Sequence, residues 1–226
     1  MDWVWSNLPQ IWDYTLDHIG LSVIPIIVGF VVSIPLGYWA SRSRVAKSIL
    51  LSIFSILYTL PSIVLFVVVP IALNGTILDP KNVIIALTIY AVAIMVRSAT
   101  DAFASVAPNV RDSARAVGYS GVQRFFRVEL PLAGPVLLAG IRIVSVSTVS
   151  LATVGVFIGI PSLGNLFTDA FQRQIPQEAI TGIVFVLLIA LVFDLIISTV
   201  ARILMPWNRR QSRRVAARKL ARVVSA

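Results

Sequence analysis

Side chains able to make or break bonds are scarce in this chain. With no cysteine and one histidine, His18, it has no thiolate metal site, disulfide or cysteine nucleophile, and a histidine ligand or base would lack the partners such sites need. No Ser/His or paired-acid arrangement stands at a catalytic spacing, and no Gly-x-x-x-x-Gly-Lys-Ser/Thr loop is present to cradle a nucleotide. No metal site and no enzymatic chemistry are expected. What remains is a polar set in mid-chain: Asp112-Ser113-Ala114, then Gly118, then Val128-Glu129-Leu130-Pro131. Two further charges, Arg142 and Asp194, stand inside apolar segments, where ionisable groups face a bundle interior or a wet cavity. On residue types alone this set suits a solvated connection between apolar segments as well as a polar handle on a membrane pore.

The segments that position these residues are membrane spans. The chain is 58% hydrophobic and 13% charged, about half the charge of a soluble domain, and its mean hydropathy is +0.90. Uncharged stretches predict five spans. They run over 19–40, from Ser48 to near Leu73, from Asn82 toward Thr100 with Arg97 snorkelling, from Pro131 to about Phe157, and from Ala179 to about Leu204. His18 sits beside the first span and reads as an interfacial polar residue. The fold class is therefore all-α and polytopic. One transmembrane domain covers 1–204, with a loop at about 108–131 and a basic tail at 205–226.

Charge sets the orientation. All but three of the 19 Lys and Arg fall in loop 41–47, loop 97–130 or the tail from Arg202. Lys81 and Arg173 lie on the other side and Arg142 lies in a span. The positive-inside rule then puts the N-terminus outside and the C-terminus in the cytoplasm. The first eighteen residues carry three Asp and no Lys or Arg, unlike the basic start of a signal peptide, so the first span is expected to be retained. The tail's Arg-rich run, next to a span, suits anionic lipid headgroups better than nucleic acid.

Within the loop, Val110, Ala114, Val117, Gly121 and Phe125 recur at helical spacing, and Gly118-Tyr119-Ser120-Gly121 breaks the helix. A second short helix over 122–128 is expected to turn into the fourth span at Pro131. Asp112 is expected near a helix start, capping exposed amides. Gly118 is expected to take positive φ, and Pro131 to open a helix without losing an internal amide bond.

Asp112, Ser113, Ala114, Gly118, Val128, Leu130 and Pro131 stand at the spacings of the EAA signature, and the chain resembles the permease subunits of ABC importers. It departs in having Asp where Glu is usual and Ser for the first Ala. Further segments, Thr59-Leu60-Pro61-Ser62-Ile63-Val64-Leu65, Leu130 to Val136, Ala139 to Arg142, Ser147 to Thr153 and Phe157 to Gly164, are similar to permeases for glycine betaine, choline and carnitine. Methionine-type ABC permeases are the nearest rival; a stand-alone secondary transporter or channel is a further alternative.

The resemblance implies a type I ABC importer permease in a bacterial or archaeal inner membrane. Its partners would be a second copy or related permease, an external solute-binding protein, and a separate ATPase that uses ATP and Mg. The seven signature residues would couple to that ATPase. For a quaternary ammonium solute, aromatic faces and weak dipoles suit a transient path. Tyr58, Phe66, Tyr90 and Phe157 are candidates for it, with Arg142 and Asp194 either facing the pore or pairing with each other.

Overall fold

The computed structural model describes residues 2–76 and 78–207. Among them the regular elements are all helical. A short α1 (Asp2–Ser6) leads into α2 (Leu8–Ala40), α3 (Arg44–Thr59), α4 (Ser62–Ala72) and α5 (Pro80–Ala104). The polar loop holds α6 (Pro108–Ala116) and α7 (Gly121–Arg124), followed by α8 (Leu130–Ala152), α9 (Gly164–Arg173) and α10 (Pro176–Leu204). Residues 208–226, most of the basic tail, lie outside the described set.

Four helical stretches are long and apolar enough to cross a bilayer: α2, α5, Gly121–Ile158 and α10. Counted as one span, the bent pair of α3 and α4 makes a fifth. The segment expected as one span from Ser48 to Leu73 breaks at Leu60-Pro61, and α3 and α4 meet at 103°. The cause is local, because Pro61 has no amide to donate and its ring drives Leu60 to an extended conformation, with ψ at 138°. The first span also starts earlier than its uncharged core, at Leu8, because Asp13 and Asp17 ride on exposed positions of the same helix. Neither α9 nor the 3-10 turn over Thr153–Ile158 was expected from hydropathy.

The centre of the bundle is α5. In its apolar stretch 61% of residues are buried inside the protein, against 17% in α10, which lies at the periphery of the bundle. α5 begins cleanly because Asp79 caps the Lys81 amide and Pro80 occupies the first turn. Its closest neighbour is α2, and the approach depends on small residues four apart. A Cβ on Gly29 would fall 2.5 Å from that of Ala91, and one on Gly37 would fall 2.7 Å from the Ala99 carbonyl carbon. Ser33, between them, is fully buried and donates to the Val92 carbonyl at 3.4 Å. This Gly-xxx-Ser-xxx-Gly seam brings two backbones together where lipid supplies no hydrophobic driving force between helices.

His18 departs from its interfacial expectation. It is fully buried in α2, with Nε2 at 3.0 Å from the Val149 carbonyl of α8, so it ties two spans together.

Candidate functional site

The polar loop projects from the end of α5. Asp112 lies in the middle of α6, not at its start: its partner is Arg115, at 3.4 Å, and both side chains are largely exposed. The capping role is therefore corrected; the α6 N-cap is Ala107, which supplies no side-chain acceptor. Ser113 is exposed, whereas Ala114 is buried and packs α6 inward. Gly118 has φ of 90° with open space around its Cα, so backbone conformation selects glycine there.

Ser120 and Gln123 form a reciprocal capping box that starts α7. A π-helical turn over Phe125–Glu129 then joins α7 to α8, and Gly121–Ile158 is one continuous helix. Pro131 thus sits inside this helix. In the widened turn the Leu130 amide donates to the Phe125 carbonyl, immediately before the residue that has no amide to donate. The expected second loop helix is the leading end of the fourth span. No break in helical structure separates the two.

Glu129 anchors this junction. Its side chain is fully buried and accepts hydrogen bonds from Arg42, in the α2–α3 connection, and from Arg124 Nε at 2.9 Å. Arg124 and Glu129 are five apart, and the π turn is what brings them to one face. The Arg42 guanidinium lies 4.3 Å above the Tyr38 ring, and Tyr38 packs edge-on against Phe103 of α5 and Phe125. On the same side of the bundle, Lys47 reaches Asp101 at 3.0 Å. The ends of α2, α3 and α5 are thus tied to the loop. Glu129 stands inside the signature but has no role among the residues the sequence marks for coupling; a lone acid beside a span, with Arg124 five before it, is the legible signal.

Between α3, α5 and α8 lies a cleft of about 550 Å³. Ser48, Ser52 and Ser55, spaced by four and three, turn one face of α3 into a hydroxyl stripe. Opposite stand Arg97 and Ser98 of α5 and Ser147 of α8, with Phe54 and Tyr58 completing the wall. These hydroxyls were missed because each serine sits singly in an apolar run; their helical spacing was the legible clue.

Of the aromatic path candidates, Tyr58 lines this cleft and meets Tyr90 edge-on, with ring centroids 6.1 Å apart. Tyr90 is buried and its hydroxyl donates to the Leu60 carbonyl at the α3–α4 break. Phe66 is fully buried in the core beside it, so it is packing. Phe157 is exposed on the 3-10 turn, away from the cleft. Arg142 and Asp194 form a two-pronged pair joining α8 to α10, with Nη2 to Oδ2 at 2.9 Å.

Residues 29–210 match the family of binding-protein-dependent transport system inner membrane components. Similar curated proteins include the choline transport system permease protein OpuBB of Bacillus subtilis, 32% identical over 85% of this chain and 87% of that protein. The glycine betaine/carnitine/choline transport system permease protein OpuCB of the same organism is 28% identical, over 91% of this chain and 94% of that one. A chain of the inward-facing MetNI methionine ABC transporter superposes with a TM-score of 0.69 at 21% identity, covering 85% of this chain and 98% of that one, which shows the shared fold. With a family match across most of its length and a helical bundle that superposes on an ABC importer permease, this chain belongs to the binding-protein-dependent inner membrane transport components.

Proposed function

We propose that this chain forms half of the translocation path of an ATP-driven importer for compatible solutes of the glycine betaine, choline and carnitine type. The observation that carries the mechanism is the single rigid helix from the loop into the fourth span. The loop exposes Val117, Val122 and Phe126, apolar side chains on a projection whose other surface is polar, as a protein-docking knob requires. A separate ATPase, using ATP and Mg, grips this knob around Asp112, Ser113, Ala114 and Gly118. Its closure is delivered through Val128, Leu130 and Pro131 to α8 as a rigid-body displacement.

The solute class rests on relatives aligned over most of their length and named for choline, carnitine and glycine betaine. The serine-lined cleft supports it, because weak dipoles let a solute enter and leave. An external binding protein imposes most of the selectivity, and a second copy or a related permease closes the path. The N-terminus lies outside and the basic end in the cytoplasm. The division into a transmembrane domain over 1–204 and a tail over 205–226 belongs to the same reading.

The test is reconstitution with the ATPase, the binding protein and any partner permease in proteoliposomes, followed by uptake of labelled glycine betaine, choline, carnitine, proline and methionine. ATP-dependent uptake of the quaternary ammonium solutes is expected. Uptake confined to methionine would replace the solute class, and flux through this chain without ATP would reject the mechanism.

A further inference from the structure

The serine-lined cleft contains one charged side chain and no counter-charge. Arg97 is exposed into it, inside a membrane helix, and no acid contributes to the wall. The nearest carboxylate in sequence, Asp101 one turn further along α5, is engaged by Lys47 at 3.0 Å. About two turns from the loop end of α5, the Arg97 guanidinium is satisfied by water or by an anion, and its fork of donors matches a carboxylate in two-pronged fashion. Aspartate or glutamate would have neutralised it from any of the three helices, and the rest of the wall is neutral: serine hydroxyls, aromatic rings and the aliphatic Leu51, Ala93, Ile94 and Ile143.

The register of α3 against α5 places an aromatic ring at a useful height. Tyr58 meets Tyr90 at one end and Lys47 meets Asp101 at the other, so the two helices run antiparallel. Arg97 then lies level with Leu51. Phe54 lies one turn away, about 4.5 Å along the axis at 1.5 Å per residue. Small betaines separate their carboxylate from their ammonium by a few bonds, a span of that order. Aromatic faces attract quaternary ammonium groups through the ring quadrupole, and Phe54 and Tyr58 both line the wall.

We propose that Arg97 is a transient anchor for the carboxylate of a zwitterionic solute, with the ammonium end lying against Phe54 and Tyr58. The cleft therefore favours carboxylate-bearing solutes, such as glycine betaine and carnitine, over the purely cationic choline. This rests on the compatible-solute reading and adds a residue and a preference to it. The hydroxyls of Ser48, Ser52, Ser55, Ser98 and Ser147 solvate the solute as it moves, without holding it.

The cysteine-free chain allows a direct test in the assembled permease–ATPase complex. Ser52→Cys places a thiol on the cleft wall, and Gln172→Cys provides a control on an exposed face of α9, outside both the cleft and the docking loop. The rate of maleimide labelling is measured with increasing glycine betaine or choline. Glycine betaine should slow labelling at position 52 and leave position 172 unchanged, and choline should protect more weakly. Adding Arg97→Gln should raise the glycine betaine concentration for half-protection by about tenfold, the loss of one charge-assisted hydrogen-bonded contact, and leave choline protection intact or improved. Arg97→Lys, which keeps the charge but not the fork, should fall between.

Equal protection by both solutes, no protection by glycine betaine, or protection unaffected by Arg97→Gln would overturn the anchor. The uptake assay described above reads the importer assignment separately. A complex that imports glycine betaine with ATP but shows no Arg97-dependent protection removes this inference alone.

Discussion

Glu129 and Arg42 meet across 87 residues of sequence: the carboxylate is fully buried at the root of the fourth span and the guanidinium comes from the turn after α2. Because Arg124 binds the other carboxylate oxygen, one side chain joins the projecting loop to two spans. Glu129→Ala leaves two arginines facing each other without an anion. Destabilisation of about 2 to 4 kcal/mol is expected, toward the lower part of the range for buried pairs because Arg42 is partly exposed. Thermal unfolding of the detergent-solubilised protein checks this. Glu129→Gln, which keeps the shape and one acceptor, should cost less stability but still lower uptake per ATP, and an unchanged ratio would show that the joint is only structural.

Gly118 presents the opposite case, a position where nothing crowds the side chain. Only its φ of 90° demands glycine, so Gly118→Val should add about 1 to 3 kcal/mol of local strain and redirect α6 without disturbing the spans. Membrane abundance should hold while ATPase co-purification and uptake fall together. Asp112→Lys should give the same pattern through charge, since Asp112 is mostly exposed and its removal releases only the surface contact with Arg115. Normal uptake by both variants at matched abundance would sink the docking assignment.

The helices were legible wherever a whole segment agreed, because twenty apolar residues have one physical solution in lipid. The loop was equally legible: proline, capping serine and two glycines bracket α6 and α7 by local chemistry alone. What escaped were contacts between segments. His18 adjoins the uncharged run yet is buried, since α2 begins ten residues before it and its partner is a carbonyl on α8. Phe66 and Tyr90 were candidates for the solute path beside their ordinary role in packing, and side-chain type does not say which face of a helix is covered. The π turn was invisible because its signal, a proline after an unusual five-residue pairing, emerges only once Arg124 and Glu129 are seen together.

The α2–α5 seam should be intolerant of volume. A methyl group at Gly37 would meet the Ala99 carbonyl carbon and the Thr100 amide nitrogen, both backbone, at 2.7 and 2.8 Å, so the helices must separate. Gly37→Ala is expected to cost about 1 to 3 kcal/mol and Gly37→Leu to abolish folding. Gly20→Ala, on the same helix with nothing within 4 Å, should be stabilising by up to about 1 kcal/mol. Comparing the three by membrane yield and thermal unfolding separates packing at the seam from the helix propensity of alanine, which would favour both alanine variants.

The pair of Arg142 and Asp194 sits well inside α8 and α10, and the side chains are 49% and 27% exposed, so it does not vanish into the core. Such a pair on the outside of an isolated bundle marks a surface that another polypeptide or water covers, because hydrocarbon would tolerate neither charge. Asp194→Asn should leave the arginine without its counter-ion and reduce membrane abundance, and Arg142→Gln should do the same from the other side. The exchange Arg142→Asp with Asp194→Arg restores opposite charges across the same two helices and should recover abundance. If abundance recovers but uptake does not, the polarity of the pair matters to the path as well as to the bundle. If the exchange is no better than either single variant, the pair does not hold α8 to α10, and its short contact carries no weight in assembly.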